Sequence, residues 1–231
     1  MKILVLSDIH ANLTALQAIQ EDYDHLICLG DLVDYGPQPR ECIEWVRQRV
    51  PRIVRGNHDN AVGHRVDCRC SEKFKPLSVA TREYTWSVLN ADETGYLARL
   101  PLTDRFELDG MRFLAVHATP SDPLFCYLAA DEKLWAHEVA AVQADFILVG
   151  HTHRPFVLKC GQKSVLNPGS VGQPRDGDPC ASYALIRDSH VELKRVEYPV
   201  EATIAALMQT GLAGQAVSQL AHVLRTGGRC M

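Results

Sequence analysis

The sequence predicts an α/β protein, and three observations lead there. Apolar runs of strand length recur along the chain: Lys2 to Leu6, Leu26 to Leu29, then Ile53-Val54. Between them the apolar residues take helical spacing, as in Leu13, Leu16 and Ile19, or Ile43, Val46 and Val50. Each strand-like run also ends on residues able to bind a metal or move a proton. In open α/β sheets, ligands sit beyond the carboxyl ends of the strands.

Composition bounds the rest. With 231 residues and 46% hydrophobic content, the chain can bury a large core as one domain, residues 1–231. A formal net charge of -4 argues against a general binder of nucleic acid or anionic membrane. The apolar start, Met1 to Leu6, is broken by Ser7-Asp8, too soon for a membrane span or a secretory signal. Eight cysteines, at 28, 42, 68, 70, 126, 160, 180 and 230, form no dense framework. They read as reduced thiols of a cytoplasmic protein. Cys68-Arg69-Cys70 lacks the CxxC spacing and has no second pair, so no metal or redox role is assigned to it.

The elements follow in order. The first strand hands Asp8 and His10 to a loop; two apart in extended backbone, they would face one side. Asn12 is placed to cap the helix that follows. The second strand ends at Gly30-Asp31, with Asp34 and Gly36 further along the loop, and Pro37 and Pro39 open the next helix. The third ends in Asn57-His58-Asp59. The stretch 61–100 carries Arg65, Arg69, Lys73 and Lys75 and two helical runs, long enough for a small helical cap over the strand ends. Asp109-Gly110 between two strands is a type I′ hairpin signature, and the second of those strands delivers His117. A helix over 131–142 precedes the strand Phe146 to Val149, which ends in Gly150-His151-Thr152-His153. Hairpins around Gly161 and around Asp188-Ser189 flank a glycine-rich loop, Asn167 to Arg175, whose amides could form an anion nest. The tail from Glu201 to Leu224 reads as one amphipathic helix packed on the outside.

The strand exits therefore supply Asp8, His10, Asp31, Asn57, His58, His117, His151 and His153. His25, His64, His137, His190 and His222 read as ordinary surface or core histidines. Imidazole and carboxylate ligands without sulfur suit Mn, Fe, Zn, Co or Ni better than a closed structural zinc site. The donors suffice for two ions sharing one carboxylate, and Asp31, central in the order, is the natural bridge. Two such ions would hold a hydroxide between them and clamp a phosphoryl centre.

The ordered blocks D-x-H (Asp8, His10), GD (Gly30, Asp31), GNHD (Gly56 to Asp59), a lone His117 and GHTH (Gly150 to His153) resemble the calcineurin-like metallophosphoesterase superfamily. The resemblance implies a four-layer α/β/β/α sandwich with a dinuclear site at the strand ends. It implies one metal on Asp8, His10, Asp31 and His153, the other on Asp31, Asn57, His117 and His151. His58 would be no ligand but the group assisting the leaving oxygen, oriented by Asp34. Two divalent ions are implied, manganese foremost, and in-line attack of the bridging hydroxide on a phosphodiester or phosphomonoester. Protein phosphatases of the superfamily carry an Arg where Tyr35 stands, which disfavours that activity. The Asn167 to Pro179 stretch is similar to the small YfcE-type bacterial and archaeal branch and offers Arg175 as a contact to a phosphate oxygen, while in the implied mechanism Asn57 helps the ions stabilise the charge on the phosphoryl group. The expected partner is a small phosphorylated molecule, a nucleotide among the candidates, with no stable nucleic-acid partner and no membrane. Dinucleoside polyphosphate hydrolysis, of the diadenosine tetraphosphate type, and a non-enzymatic scaffold are the alternatives; the scaffold reading would require lost metal histidines, and none is lost.

Overall fold

The structure is a computed structural model and describes residues 1–228; Cys230 lies outside the described residues. Its first half runs β1 (Lys2–Leu6), α1 (Leu13–Ala18), β2 (His25–Cys28), α2 (Pro39–Arg49), β3 (Arg52–Ile53), α3 (Asn57–His64), α4 (Lys75–Val88) and α5 (Ala91–Arg99). Its second half runs β4 (Thr103–Leu108), β5 (Met111–Val116), α6 (Glu132–Glu138), β6 (Phe146–Leu148), β7 (Phe156–Cys160), β8 (Lys163–Asn167), β9 (Ala181–Arg187), β10 (His190–Val196), α7 (Val200–Leu207) and α8 (Gly214–Thr226).

Strand β1 shows how the layers arise. Ile3 and Val5 point to one face and Leu4 and Leu6 to the other, and all four are buried. A strand covered on both faces reads as a continuous apolar run, as this one does. It lies at the centre of one five-stranded sheet, β10-β9-β1-β2-β3, parallel to β2 and antiparallel to β9. The second sheet has the order β4-β5-β6-β8-β7, with β5, β6 and β8 parallel.

The inner faces meet through Ile3, Val5, Ile27 and Leu29 on one side and Phe113, Phe146, Leu148 and Leu166 on the other. Phe106, Phe113 and Phe146 stack in a row, each pair of ring centres 5.2 Å apart. Fully burying one such side chain stabilises the fold by roughly 1.5–3 kcal/mol. Helices α1 and α2 cover the outer face of the first sheet with Leu16, Ile43 and Val46. Helix α6 covers the second through Trp135, against Leu114, Val116 and Ile147. The result is the four-layer α/β/β/α sandwich that the family resemblance implied.

Local signals translate as expected at several points. The Asn12 side chain accepts from the Ala15 amide at 3.2 Å and caps α1. Asp109 and Gly110 take φ of +53° and +74°, as a type I′ turn requires. Asp131 is the cap of α6, which stops at Glu138 and so is shorter than the 131–142 helix read from the sequence.

Two expectations fail. The tail is two helices: α7 stops at Leu207, and the turn after it passes through Gly211, at a left-handed φ of +76°, before α8 begins at Gly214. Nor does the tail merely sit outside. Leu220 and Leu224 of α8 join Leu207 of α7 in a cluster with Tyr35 and Phe74, which border the strand exits.

Candidate metal centre

The carboxyl ends of β1, β2 and β3 and those of β5, β6 and β8 meet at one rim. Hydrogen bonds tie the loops together there: the Asp8 amide donates to the Gly30 carbonyl at 3.0 Å, Gly150 to His117 at 2.8 Å, and Gly172 to Asp8 at 3.0 Å. The loops are backbone-strained. Among the described residues, non-glycine positive φ occurs at Asp8, His10, Ala11, Asp31, Asp34, Tyr35, His151 and His153, all in these loops, and at five positions elsewhere. Each such residue costs on the order of 1–3 kcal/mol, and such strain clusters at functional sites. The expectation that Asp8 and His10 lie in extended backbone is thereby corrected; a left-handed loop, not strand alternation, brings their side chains together, with His10 Nε2 3.8 Å from Asp8 Oδ1.

The histidines are aimed by backbone carbonyls. His10 Nδ1 donates to the Val33 carbonyl at 2.8 Å, His117 Nδ1 to Leu29 at 2.7 Å and His153 Nδ1 to Gln173 at 2.6 Å. A carbonyl only accepts, so Nδ1 carries a proton in all three and Nε2 faces inward, as a free lone pair in neutral His10 and His153. Two of these lone pairs, on His10 and His153, face each other at 3.1 Å. That repulsion is relieved only by a cation or proton between them. Asp8, His10, Asp31 and His153 offer ligand atoms all within 4.8 Å of one another, and all four side chains are buried.

A second convergence adjoins the first. His117 Nε2 lies 3.3 Å from Asp31 Oδ2 and 3.1 Å from Asn57 Oδ1, and His151 Nδ1 lies 3.1 Å from the same Asn57 oxygen. The Asn57 amide nitrogen donates to the Cys68 carbonyl at 2.7 Å, which turns its oxygen inward. Asp31 Oδ2 faces both groups, lying 3.7 Å from His10 Nε2. Buried oxygen Asp8 Oδ1 and nitrogen His151 Nε2 have no hydrogen-bond partner, and a buried polar atom left so costs free energy unless something else binds there. This donor set fits divalent cations.

Electrostatics sharpen the picture. Burial would raise the carboxyls of Asp8 and Asp31, yet His153 beside the first and His117 beside the second hold both well below the usual range. Burial, and then a neighbouring histidine, pushes His10 down and His151 to about 3. His153 is lowered by burial and by the Arg175 charge. His58 and His117 go the other way: burial works against their charge, but Asp31 draws each up to about 9.

His58 stands apart from the convergent nitrogens. Its Nδ1 donates to Asp34 Oδ2 at 2.8 Å, and its backbone amide donates to Asp31 Oδ1 at 2.8 Å. Arg82 Nε donates to the same Asp34 oxygen at 3.2 Å. The Arg175 guanidinium lies over Phe74 at 3.8 Å and Tyr35 at 5.5 Å, beside His153. Four amides of the glycine-rich loop, where an anion nest was expected, are engaged inside the protein. Val171 donates to the Ser7 carbonyl, Gly172 to Asp8, Gln173 to the Ser170 hydroxyl and Arg175 to the His153 carbonyl.

Sequence reading missed three contributors. Asp59 accepts from the amides of Asp31, Leu32 and Gly56 at 2.7, 2.8 and 3.0 Å and clamps two loops together; its place three residues after Gly56 was a capping signal. Burial and the Asp31 charge raise its carboxyl to about 6. Arg82 of α4 reaches the site with no motif to mark it. The Tyr127 ring lies 3.9 Å from the His151 ring and, with Phe74, Phe156, Arg154 and Arg175, lines an adjoining cleft of about 590 Å³.

Buried imidazoles and carboxylates converging at the shared rim of a two-sheet sandwich define a metal-dependent hydrolase of phosphoric esters. The description "calcineurin-like phosphoesterase superfamily domain" matches residues 1–190, and the chain belongs to that superfamily. It is 34% identical to the uncharacterized protein MJ0912 of Methanocaldococcus jannaschii, the match covering 91% of this chain and 93% of that one. It is 26% identical to the phosphodiesterase YfcE of Escherichia coli K12 over 80% of this chain and 87% of that one, in line with the branch read from the glycine-rich loop. A metallophosphoesterase crystal structure from Sphaerobacter thermophilus superposes with a TM-score of 0.83 at 33% identity, covering 98% of this chain and 99% of that one.

Proposed function

We propose that the chain is a dinuclear phosphoesterase that cleaves a small phosphodiester or phosphomonoester, with Asp8, His10, Asp31 and His153 holding one divalent ion and Asp31, Asn57, His117 and His151 the other. The observation that carries this reading is the inward pair of imidazole lone pairs on His10 and His153, fixed by two backbone carbonyls and flanked by two buried carboxylates. When bound, two such ions supply an acidified water as nucleophile and positive charge against the phosphoryl oxygens. Nitrogen and oxygen donors without sulfur admit Mn, Fe, Zn, Co or Ni, and manganese is the ion we put first, on the family resemblance.

The chain's own groups do the rest. His58, its Nδ1 donating to Asp34, is poised to hand a proton to the leaving oxygen. Asp34 fixes the tautomer of His58, and Arg82 holds Asp34. Arg175 meets a phosphate oxygen at the edge of the site. The cleft beyond it, with Tyr127, Phe74 and Phe156 next to Arg154 and Arg175, suits an aromatic base carrying phosphate, so a nucleotide is the substrate class favoured. We take residues 1–231 as one working unit in which 61–100 forms a wall of the site. Seven described cysteines are unpaired, which suits a reducing, cytoplasmic setting, and no helix among the described residues is long and apolar enough to cross a membrane.

The test is a panel of p-nitrophenyl phosphate, its bis ester and diadenosine tetraphosphate, assayed with manganese and again after chelation, with elemental analysis alongside. Metal-dependent turnover and two ions per chain are expected. One ion or none after loading, or turnover untouched by chelation, would sink the proposal.

A further inference from the structure

The Cys68-Arg69-Cys70 motif, which the chemistry above leaves unused, lies directly against His58. The two thiols and a ring nitrogen of His58 offer ligand atoms within 4.8 Å of one another, and all three residues are buried. No regular element holds the thiols in place. Arg69 takes φ +51°, its amide donates to Asp67 Oδ1 at 2.7 Å, and its guanidinium lies 4.7 Å from the Phe125 ring. That left-handed residue folds Cys68 and Cys70 toward the same interior spot. The Cys68 carbonyl is pinned by Asn57 at 2.7 Å and the Cys68 sulfur lies 3.2 Å from the Ser78 hydroxyl.

We propose that Cys68, Cys70 and His58 form a second, sulfur-bearing cation site that takes a thiophilic divalent ion of the zinc class and, when filled, shuts off the phosphoesterase centre. Two thiolates and one imidazole with an open fourth position is a known zinc ligand set. Tetrahedral Zn–S bonds of about 2.3 Å need sulfurs roughly 3.8 Å apart, so the three atoms must close by no more than about 1 Å. The set differs in kind from the neighbouring nitrogen and oxygen donors, which carry no sulfur, so each site selects its own class of ion. One thiol is already prepared. The hydrogen bond from Cys68 outweighs burial and, with Tyr35, Ser78 and Arg175, brings Cys70 down to about 6, while the proton stays on Cys68, whose thiol is pushed up. Binding would release two protons to solvent, the one left on Cys68 and one from the His58 imidazolium, as both sulfurs and the ring nitrogen become ligands. The ring nitrogen of His58 would then be held by the ion, so it could not serve the leaving oxygen. That inhibitory consequence rests on the proposed role of His58; the cation site itself does not.

Cadmium separates the two claims, because a cadmium–thiolate bond absorbs in the ultraviolet and cadmium held by nitrogen and oxygen does not. Manganese-loaded protein, reduced with a phosphine that is then removed, is titrated with cadmium while absorbance and p-nitrophenyl phosphate turnover are followed. The charge-transfer band should saturate at one equivalent, and turnover should fall about 100-fold, the lower end of what a general acid supplies. Cys70→Ser and Cys68→Ser should each lose the band and keep turnover in cadmium, while Cys126→Ser behaves as the parent. No band in the parent, or an equal band in the Cys68→Ser/Cys70→Ser double variant, overturns the site. Equal inhibition in that double variant overturns the inhibitory role, since cadmium is then acting at the manganese ligands. A band that saturates and vanishes as described in a protein with no turnover on any ester upholds the site and fails the phosphoesterase reading instead.

Discussion

Replacing His58 with alanine tests the division of labour at the centre. His58 hydrogen-bonds the convergent groups through its backbone amide, which donates to Asp31 and survives the substitution, and its ring packs edge-on against His10 with centres 5.1 Å apart. Its ring is held by Asp34, which is itself held by Arg82. On the proposed reading the ring supplies a proton and is no ligand of the two-ion centre. General acid catalysis is worth roughly 10²–10⁴ in rate, or about 3–5 kcal/mol of barrier. His58→Ala should lower kcat by that factor, with metal content unchanged by elemental analysis. The loss should depend on the leaving group. The leaving group of an aryl ester such as p-nitrophenyl phosphate departs as a stabilised anion and needs the least help, so that ester should lose least, about 100-fold; an alkyl ester should lose most. Asp34→Asn should show the same leaving-group pattern at smaller amplitude, and the double variant should be no worse than His58→Ala alone, because the pair acts as a unit. If metal and activity fall together, His58 is a ligand. If the loss is equal for aryl and alkyl esters, it is not the proton donor.

Two further outcomes follow from the packing and the charges. A Cβ at Gly56 would sit 2.0 Å from Asp31 Oδ1 and 2.4 Å from the Asp31 amide, so Gly56→Ala must displace Asp31; metal content and turnover should both collapse while the far-ultraviolet circular dichroism stays native, and retained metal would refute the placement. Stability against pH should form a dome in the metal-free protein. His58 and His117, raised to about 9 from 6.5, contribute stability that is full below 6.5 and lost as pH rises through 9. His10, His151 and His153, held below 6.5, contribute stability present above it and lost as pH falls, for His151 through about 3. The urea midpoint should therefore peak near pH 6.5 without metal, and the alkaline decline should shrink once metal forces His117 neutral. A metal-free midpoint still climbing from pH 7 to 9 would contradict these assignments.

What the sequence disclosed and what it hid divide along one physical line. Strand β1 was legible because burial on both faces demands an unbroken apolar run, and the residue after such a run is fixed in space by the sheet. Asp31, His117 and His151 stand just past strands of this kind and were found for that reason. Helix α4 hides its role because it breaks the rule used to read helices. A surface helix is expected to bury an apolar stripe, yet the buried residues of α4 are Leu77, Ser78, Thr81, Arg82 and Thr85. They follow helical spacing, but four of the five are polar. By hydropathy alone that face resembles one turned to solvent. It is buried because its partners are polar too: Thr81 accepts from the Tyr35 amide at 3.0 Å, Arg82 reaches Asp34 across 48 positions of sequence, and Ser78 meets Cys68. A lid and a solvated helix pair therefore look alike in the 61–100 stretch until long-range contacts are known. The same blindness covered Cys68 and Cys70, since their spacing matches no metal motif and only the left-handed turn at Arg69 brings them to His58. Polar groups that face one another across the interior cancel in any one-dimensional reading. The centre's apolar supports were thus readable from local pattern, and its polar wall was not.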